Sequence, residues 1–377
     1  MSSQTQKYFH TALLPTRPEI YLFCILLIAP ALNFLSGTNV SLYAPSLPAI
    51  THYFHSHAEI IKNTISISLA GFAVSCLFVG ILLDHLGRRR VIMVGLAIFM
   101  ISSVLTPFCT NITELYAMRF IQGLTVAIAS IGSRTLVLDH FNGKQYVAAM
   151  LYTSIAYSLG MIIGPFIGGN LQMLFGWQAC FYAYALISGS VLIAVMLFVN
   201  ESRPVSIQNN VKQIFSNYLA LTKHRSFLAG SGITGLAMLQ QMIYPTLGPF
   251  ILNQRLHLSA VVYGMYALIA GSFYLAGNLT NRLLINRFTP QLLQKTGLLS
   301  ILTIGLLQGI LGLVMPLNIW LVVLPIILMS FALGLVFGNT VATTLALFPK
   351  LAGSATGLLP FIMLVIATLG VNAMSAL

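Results

Sequence analysis

The sequence predicts an all-α polytopic membrane protein, with two six-helix bundles related by a parallel repeat and the twelfth helix missing from this chain. Three observations predict it. Hydrophobic residues make up 58% of the 377 and charged residues only 6%, whereas a soluble domain carries about a quarter charged residues. Long apolar runs recur along the whole chain, each near the ~20 residues that one crossing needs. Lys and Arg fall almost entirely in alternate connections between those runs, the asymmetry that orients a membrane protein.

In chain order the predicted spans lie near 20–44, 60–82, 91–110, 113–138, 146–170 and 178–200. A polar stretch, 201–224, follows. Further spans lie near 226–252, 259–281, 293–315, 318–340 and 353–376. The expected domains are an N-terminal six-helix bundle over 1–200, a cytoplasmic linker over 201–224 and a C-terminal bundle over 225–377 with five helices visible. With the N-terminus in the cytoplasm, 14 of the 18 Lys and Arg residues fall on the cytoplasmic side. Lys62 and Arg255 fall on the other side, and Arg119 and Arg134 lie within a span. The net charge of +12 therefore reports orientation and calls for no nucleic-acid partner. Cys24, Cys76, Cys109 and Cys180 sit in or beside apolar runs with no CxxC spacing, and read as small buried residues. The first run is too long for a signal peptide's apolar region. Trp177 and Trp320, at span edges, read as interface anchors.

An internal repeat follows the division at the linker. Tyr43-Ala-Pro45-Ser-Leu-Pro48 ends the first span and Tyr244-Pro245-Thr-Leu-Gly-Pro249 ends the seventh. Gly80-Ile-Leu82-Leu-Asp84 recurs as Gly277-Asn-Leu279-Thr-Asn281, and Lys144 before the fifth span matches Lys350 before the eleventh. Three matches in the same order suggest two parallel halves, an architecture of transporters with the site near the midplane.

The junction between the second and third spans reads Gly80-Ile-Leu-Leu-Asp84-His-Leu-Gly87-Arg88-Arg89-Arg90. A plain positive-inside loop accounts for the arginines. It leaves the two glycines and one of only six carboxylates in the chain without a reason. Asp84 ends a span beside three cations, with Asp139, Arg134 and Arg88 as candidate partners. Arg119 is the costly residue, a charge about six residues into the fourth span. Such a residue marks a functional site by default, and snorkelling to the outer interface is the plain alternative. Gln122 lies one helical turn on, on the same face. In the fifth span Gly160, Gly164 and Gly168 repeat every four residues, which permits close helix packing, and Pro165 adds a kink. The polar candidates for a cavity are Asn33, Asn39, Ser41, Tyr43, Arg119, Gln122, Tyr157, Gln240, Gln241 and Tyr244. His52, His55 and His57 share an outer loop without a ligand set, so no metal is expected.

Three of these segments resemble motifs of the major facilitator superfamily. Gly80, Leu82, Asp84, Gly87, Arg88 and Arg89 fill the fixed positions of its motif A. Arg119-Phe-Ile-Gln122-Gly123 is similar to motif B. Gly160-Met-Ile-Ile-Gly164-Pro165-Phe-Ile-Gly168-Gly169 resembles motif C of the drug:proton antiporter branch. Tyr43-x-Pro45-x-Leu47-Pro48 and the segment from Phe348 to Gly357 resemble the bicyclomycin-resistance-like multidrug exporters. The resemblance implies a conformational latch at Gly80, Asp84, Gly87, Arg88, Arg89 and Asp139. Span position points to a cavity holding Arg119, Gln122, Ser41, Tyr43 and Tyr244, and the spacing of Gly160, Gly164, Pro165, Gly168 and Gly169 reads as a seal and hinge.

The sequence departs from that pattern in one respect. Glu19, Glu59, Asp84, Glu114, Asp139 and Glu201 all lie at span ends or in loops, and Ser41 stands where the branch commonly has an acid. Cavity charge is then positive, which favours neutral or anionic substrates, and the usual proton relay lacks its central carboxylate. The expectation is a monomeric secondary transporter in the bacterial inner membrane that exports small amphipathic compounds by alternating access. Its partners are the bilayer, a small substrate and, where coupling operates, protons. No cofactor and no enzymatic step are expected. A metabolite or siderophore permease is the alternative within transport, and a transport-incompetent component or sensor the alternative outside it.

Overall fold

A computed structural model describes residues 8–9, 18–202, 211–284, 287–348 and 351–375. Lys7, Arg17, Arg203 and Lys350, counted in the charge asymmetry, lie outside the described residues. The first span is α1 (Pro18–Ser41), continued after a 3-10 turn at Ala44–Ser46 by the short α2 (Leu47–Tyr53). Then come α3 (Ala58–Leu86), α4 (Arg88–Leu105), α5 (Ile112–His140), α6 (Gly143–Phe175) and α7 (Gln178–Phe198). The linker carries α8 (Val211–Thr222). The remaining helices are α9 (Arg225–Phe250), α10 (Ala260–Leu284), α11 (Pro290–Val314), α12 (Ile319–Ala346) and α13 (Ala352–Ser375). A two-residue antiparallel pair, β1 (Tyr8–Phe9) with β2 (Glu201–Ser202), is the only sheet among the described residues.

Among the described residues all eleven expected spans are helical, and ten helices are long and apolar enough to cross a membrane. The exception, α9, is long but carries Gln240 and Gln241 in mid-helix, which lowers its apolar character. Polar caps set several helix starts. Asn111 and Asn318 accept from the amides of Glu114 and Leu321, at matching places in the fourth and tenth spans. Thr289 does the same for Leu292 at the start of α11. Such a cap contributes about 1 kcal/mol and satisfies one amide that the helix leaves open.

The chain forms two compact units. The first holds Met1–Val40, Ile67–Met161 and Gln178–Ser216, the second Ser41–Ser66, Ile162–Trp177 and Asn217–Leu377. In the first, α4 packs along α5 and α7. Glycines allow helix backbones to meet: a Cβ on Gly71 would strike the carbonyl of Phe120, one on Gly123 that of Ser68, and one on Gly37 that of Tyr157. In the second unit α12 lies between α10 and α11, and α13 packs on α9. Its core gathers Ala44, Tyr244, Leu252, Tyr263, Val322 and Val323.

Two local readings need correction. Trp177 is buried and packs its ring against Tyr53 and Phe54, so it serves the core and not an interface; Trp320 is exposed as expected. The linker is not only polar chain. In α8, Leu221 is wholly buried while Leu219 is exposed, and Asn217 Nδ2 donates to Ser354 Oγ at 3.2 Å. Alternating burial at helical spacing docks this segment on the first turn of α13.

Candidate functional site

The junction between α3 and α4 is built around Arg88. Its side chain is buried, Nη1 donates to Asp84 Oδ1, and Nε donates to Asp139 Oδ2 at 3.1 Å. Asp84 lies one turn before Arg88 and Asp139 ends α5, so one planar guanidinium joins three helices' ends. The fork geometry of arginine suits two carboxylates at once. Burial makes the arrangement costly to break, because removing either partner leaves an uncompensated charge. Arg134, also considered as a partner of Asp84, is exposed.

Glu201 completes the junction, and the sequence reading missed it. The residue lies at the start of the linker, yet its side chain is buried. Its two carboxylate oxygens accept from the backbone amides of Arg89 at 3.1 Å and Arg90 at 3.2 Å. A carboxylate at a helix N-terminus satisfies open amides and complements the helix dipole. Arg90 Nε approaches the same carboxylate at 3.9 Å from an exposed position, and Arg89 Nη2 donates to the Met196 carbonyl at 2.9 Å. This explains Gly87. Its φ of +97° is a conformation that a side chain resists, and a Cβ there would meet the Glu201 carboxylate within 2.5–2.9 Å. Gly80, by contrast, has open space where a Cβ would lie. A single acid 111 residues beyond Arg90 gave no local signal of this pairing.

Arg119 is 0% exposed. Its Nη1 donates to Gln122 Oε1 at 2.6 Å and its Nη2 to the carbonyl of Asn39 at 3.0 Å. The Phe181 ring lies 6.0 Å from the guanidinium carbon. Gln122 passes the network on through Nε2 to Thr106 Oγ1 at 3.1 Å and Ser103 Oγ at 3.4 Å. Tyr184 donates its hydroxyl to the carbonyls of Thr38 and Asn39, and Asn39 Nδ2 donates to Ser68 Oγ at 3.0 Å. Arg119 and Tyr184 thus cap the last turn of α1, which stops at Ser41. A cation is favourable at a helix C-terminus, where open carbonyls concentrate negative potential. Tyr184 and the capped carbonyls were not legible, because the sequence does not show where the first span breaks. Asn33, another candidate, donates to the Thr153 carbonyl and accepts from Ser130 within the same unit.

Of the other cavity candidates, Tyr157 lies in the first unit, and Ser41, Tyr43, Gln240, Gln241 and Tyr244 lie in the second. Ser41 is buried against Gly164, and the Tyr43 hydroxyl bonds Thr64 Oγ1 at 2.9 Å. Tyr244 stacks on Tyr263 with centroids 4.8 Å apart and donates to the Tyr263 carbonyl. Arg119 and Gln122 are therefore in contact, whereas Ser41, Tyr43 and Tyr244 belong to a different packing group. The glycine face of α6 is used fully. A Cβ on Gly160 would meet the Phe34 carbonyl and one on Gly168 the carbonyl of Leu42. One on Gly169 would meet the carbonyl of Ala260, and Gly264 of α10 lies as closely on the carbonyl of Pro165.

The second half answers Asp84 with Asn281. Its Nδ2 donates to Asn339 Oδ1 at 3.3 Å, and Asn339 Nδ2 returns a bond to Asn281 Oδ1 at 2.8 Å. Two neutral amides thus join α10 to α12, where an arginine and two carboxylates hold the corresponding end of the first half. Among the described residues no group of His, Cys, Asp and Glu has the arrangement of a metal site.

Eleven long helices, a charged junction after the second span and a buried arginine in the fourth define a polytopic membrane transporter. The chain belongs to the major facilitator superfamily, whose model matches residues 31–371, and it is accordingly a multi-pass transporter and not an enzyme. It is 23% identical over 346 residues to multidrug resistance protein D of Escherichia coli K12, covering 90% of this chain and 84% of the relative. It is also 23% identical over 356 residues to a bicyclomycin resistance protein homolog of Haemophilus influenzae, covering 89% and 85%. Its fold is similar to the inward-open xylose transporter XylE from E. coli, with a TM-score of 0.74 at 14% identity, covering 94% and 89% of the two chains.

Proposed function

We propose that this transporter exports small amphipathic compounds, neutral or anionic, across the bacterial inner membrane by alternating access. The observation that carries the reading is the glycine face of α6. Gly168 and Gly169 admit the backbones of Leu42 and Ala260, and Pro165 meets Gly264, so three helix backbones seal against one another without side chains between them. This is the segment that resembles motif C of the exporting branch, and the names of the relatives, multidrug resistance and bicyclomycin resistance, point the same way. On this reading Arg88, Asp84, Asp139 and Gly87 form a latch that breaks and re-forms in the cycle. Arg119, held by Gln122, sets the positive potential of the substrate path. The two sequence halves, 1–200 and 225–377, act as the moving bundles, with the N-terminus cytoplasmic and the protein working as a monomer.

The absence of an acid from the middle of every span bears on coupling. Proton linkage would run through Asp84 and Asp139 at the junction or through a carboxylate carried by the substrate. Overexpression followed by drug-susceptibility profiling, set beside Arg119→Ala, tests the function. Raised tolerance to a set of neutral or anionic compounds, lost in the variant, is the expected outcome. Unchanged tolerance to every compound, with accumulation of one in vesicles under an imposed gradient, would instead support a metabolite permease.

A further inference from the structure

All six carboxylates of this chain lie at or before Glu201, whereas residues 202–377 hold nine Lys and Arg residues and no Asp or Glu. Residues 202–377 therefore contain no side-chain carboxylate with which to pair their own cations. The described ion pairs, Arg88 with Asp84 and Asp139 and Arg90 with Glu201, all belong to the first 201 residues. Six of the nine cations are exposed among the described residues; Arg255 follows the far end of α9, and the other five are Lys223, Arg225, Arg282, Arg287 and Lys295. They share one end of the second half. The Asn281–Asn339 bonds tie the close of α10 to the last turns of α12, and the Asn217–Ser354 bond ties α8 to the start of α13. Lys223 and Arg225 sit where α8 passes directly into α9, and Arg287 and Lys295 flank the turn from α10 into α11.

Each of these cations has a large exposed apolar neighbour. Leu219 is one turn before Lys223, Leu228 three residues after Arg225, and Leu292 three before Lys295. Leu283 and Phe288 directly follow Arg282 and Arg287, and Leu283 is 75% exposed. A dissolved anion or an acidic protein surface would account for the charge and leave the apolar partners in water. A bilayer edge takes both, because long cationic side chains hold their heads at phosphate level while apolar neighbours enter the acyl region.

We propose that this rim is a binding surface for anionic phospholipid headgroups, which supply the counter-charge that residues 202–377 lack. On the orientation argued above the lipids are those of the inner leaflet, but the surface is independent of orientation and of the transported substrate. Its test is therefore separate from that of export.

The full-length protein is placed in nanodiscs of phosphatidylcholine with an increasing share of phosphatidylglycerol, either lipid being brominated. Leu283→Trp reports on the rim. The parent protein supplies the baseline, since Trp177 is buried and Trp320 lies at the opposite helix ends. Stronger quenching of the rim tryptophan by brominated phosphatidylglycerol than by phosphatidylcholine is expected, with no such preference in the parent. Adding Arg282→Gln and Arg287→Gln is expected to lower the preference about fivefold for each cation removed, while the paired Arg→Lys changes retain it. Equal quenching by the two lipids, or a preference untouched by the double Gln change, would overturn the proposal. A preference abolished by inorganic phosphate at constant ionic strength would also overturn it, assigning the rim to a soluble anion.

Discussion

Arg119 donates to the carbonyl oxygen of Asn39 at 3.0 Å, closing the last turn of α1 two residues before the helix ends. The same guanidinium holds Gln122 at 2.6 Å. Replacing it by Met leaves the buried Gln122 Oε1 without this donor, at about 1–3 kcal/mol, and leaves the Asn39 carbonyl to the Tyr184 hydroxyl alone. Arg119→Met is therefore expected to lower the melting temperature in detergent clearly. Arg119→Lys should fall between, because a single ammonium does not reproduce the planar fork. Transport lost in the Lys variant at near-parental stability would place Arg119 in the substrate path as well as at the helix end.

Gly87 and Glu201 form a second testable pair. Gly87→Ala meets both a left-handed backbone and the Glu201 carboxylate, and should destabilise by about 1–3 kcal/mol. Glu201→Ala removes the cap of α4, about 1 kcal/mol, and also clears the space beside Gly87. The double variant should be less destabilised than the two single costs added together, by about 0.5–3 kcal/mol. Full additivity in chemical or thermal unfolding would show that the two sites do not touch.

The two carboxylates on Arg88 differ in burial, with 25% of the Asp84 side chain exposed and 7% of that of Asp139. Asp139→Asn should therefore cost more stability than Asp84→Asn, since the buried guanidinium loses its better-shielded partner. Asp84→Asn is expected to fold and to lose transport, together with any pH dependence of transport, in reconstituted vesicles. If both survive unchanged, the junction acts only as a topology signal.

Glycines from two of the motifs should behave differently. Gly168→Ala places a methyl on the Leu42 carbonyl, an overpacking cost of about 1–3 kcal/mol. It should also open the Gly168 end of α6 to thiol reagents at an introduced cysteine. Gly80→Ala meets open space and replaces a poor helix former, so stability should hold or rise by up to about 1 kcal/mol. A stable Gly80→Ala that fails to transport would indicate a closer approach at Gly80 in another state of the cycle.

Much of this architecture was legible because hydrocarbon imposes simple rules. Each span must satisfy its own backbone polar groups, so apolar length translates directly into helix. That rule gave all eleven helices, and the charge asymmetry supported their alternation. What was not legible were relationships between residues far apart in the chain. Glu201 reads as linker, but its carboxylate seats on the amides of Arg89 and Arg90. Trp177 reads as an interface residue and is core. Asn339 is one polar residue in an apolar helix until Asn281 is found against it.

The sequence by itself determined the helical class, the spans and the residues too costly to be incidental. Local hydropathy and charge are properties of short segments, and a membrane reads them segment by segment. Only the tertiary structure decided what those residues do to one another. It set Arg88 between Asp84 and Asp139, and it turned Arg119 from a lone charge in a span into the cap of α1. Direction and distance between helices decide a hydrogen bond, and neither is encoded in the composition of the helix that carries the donor.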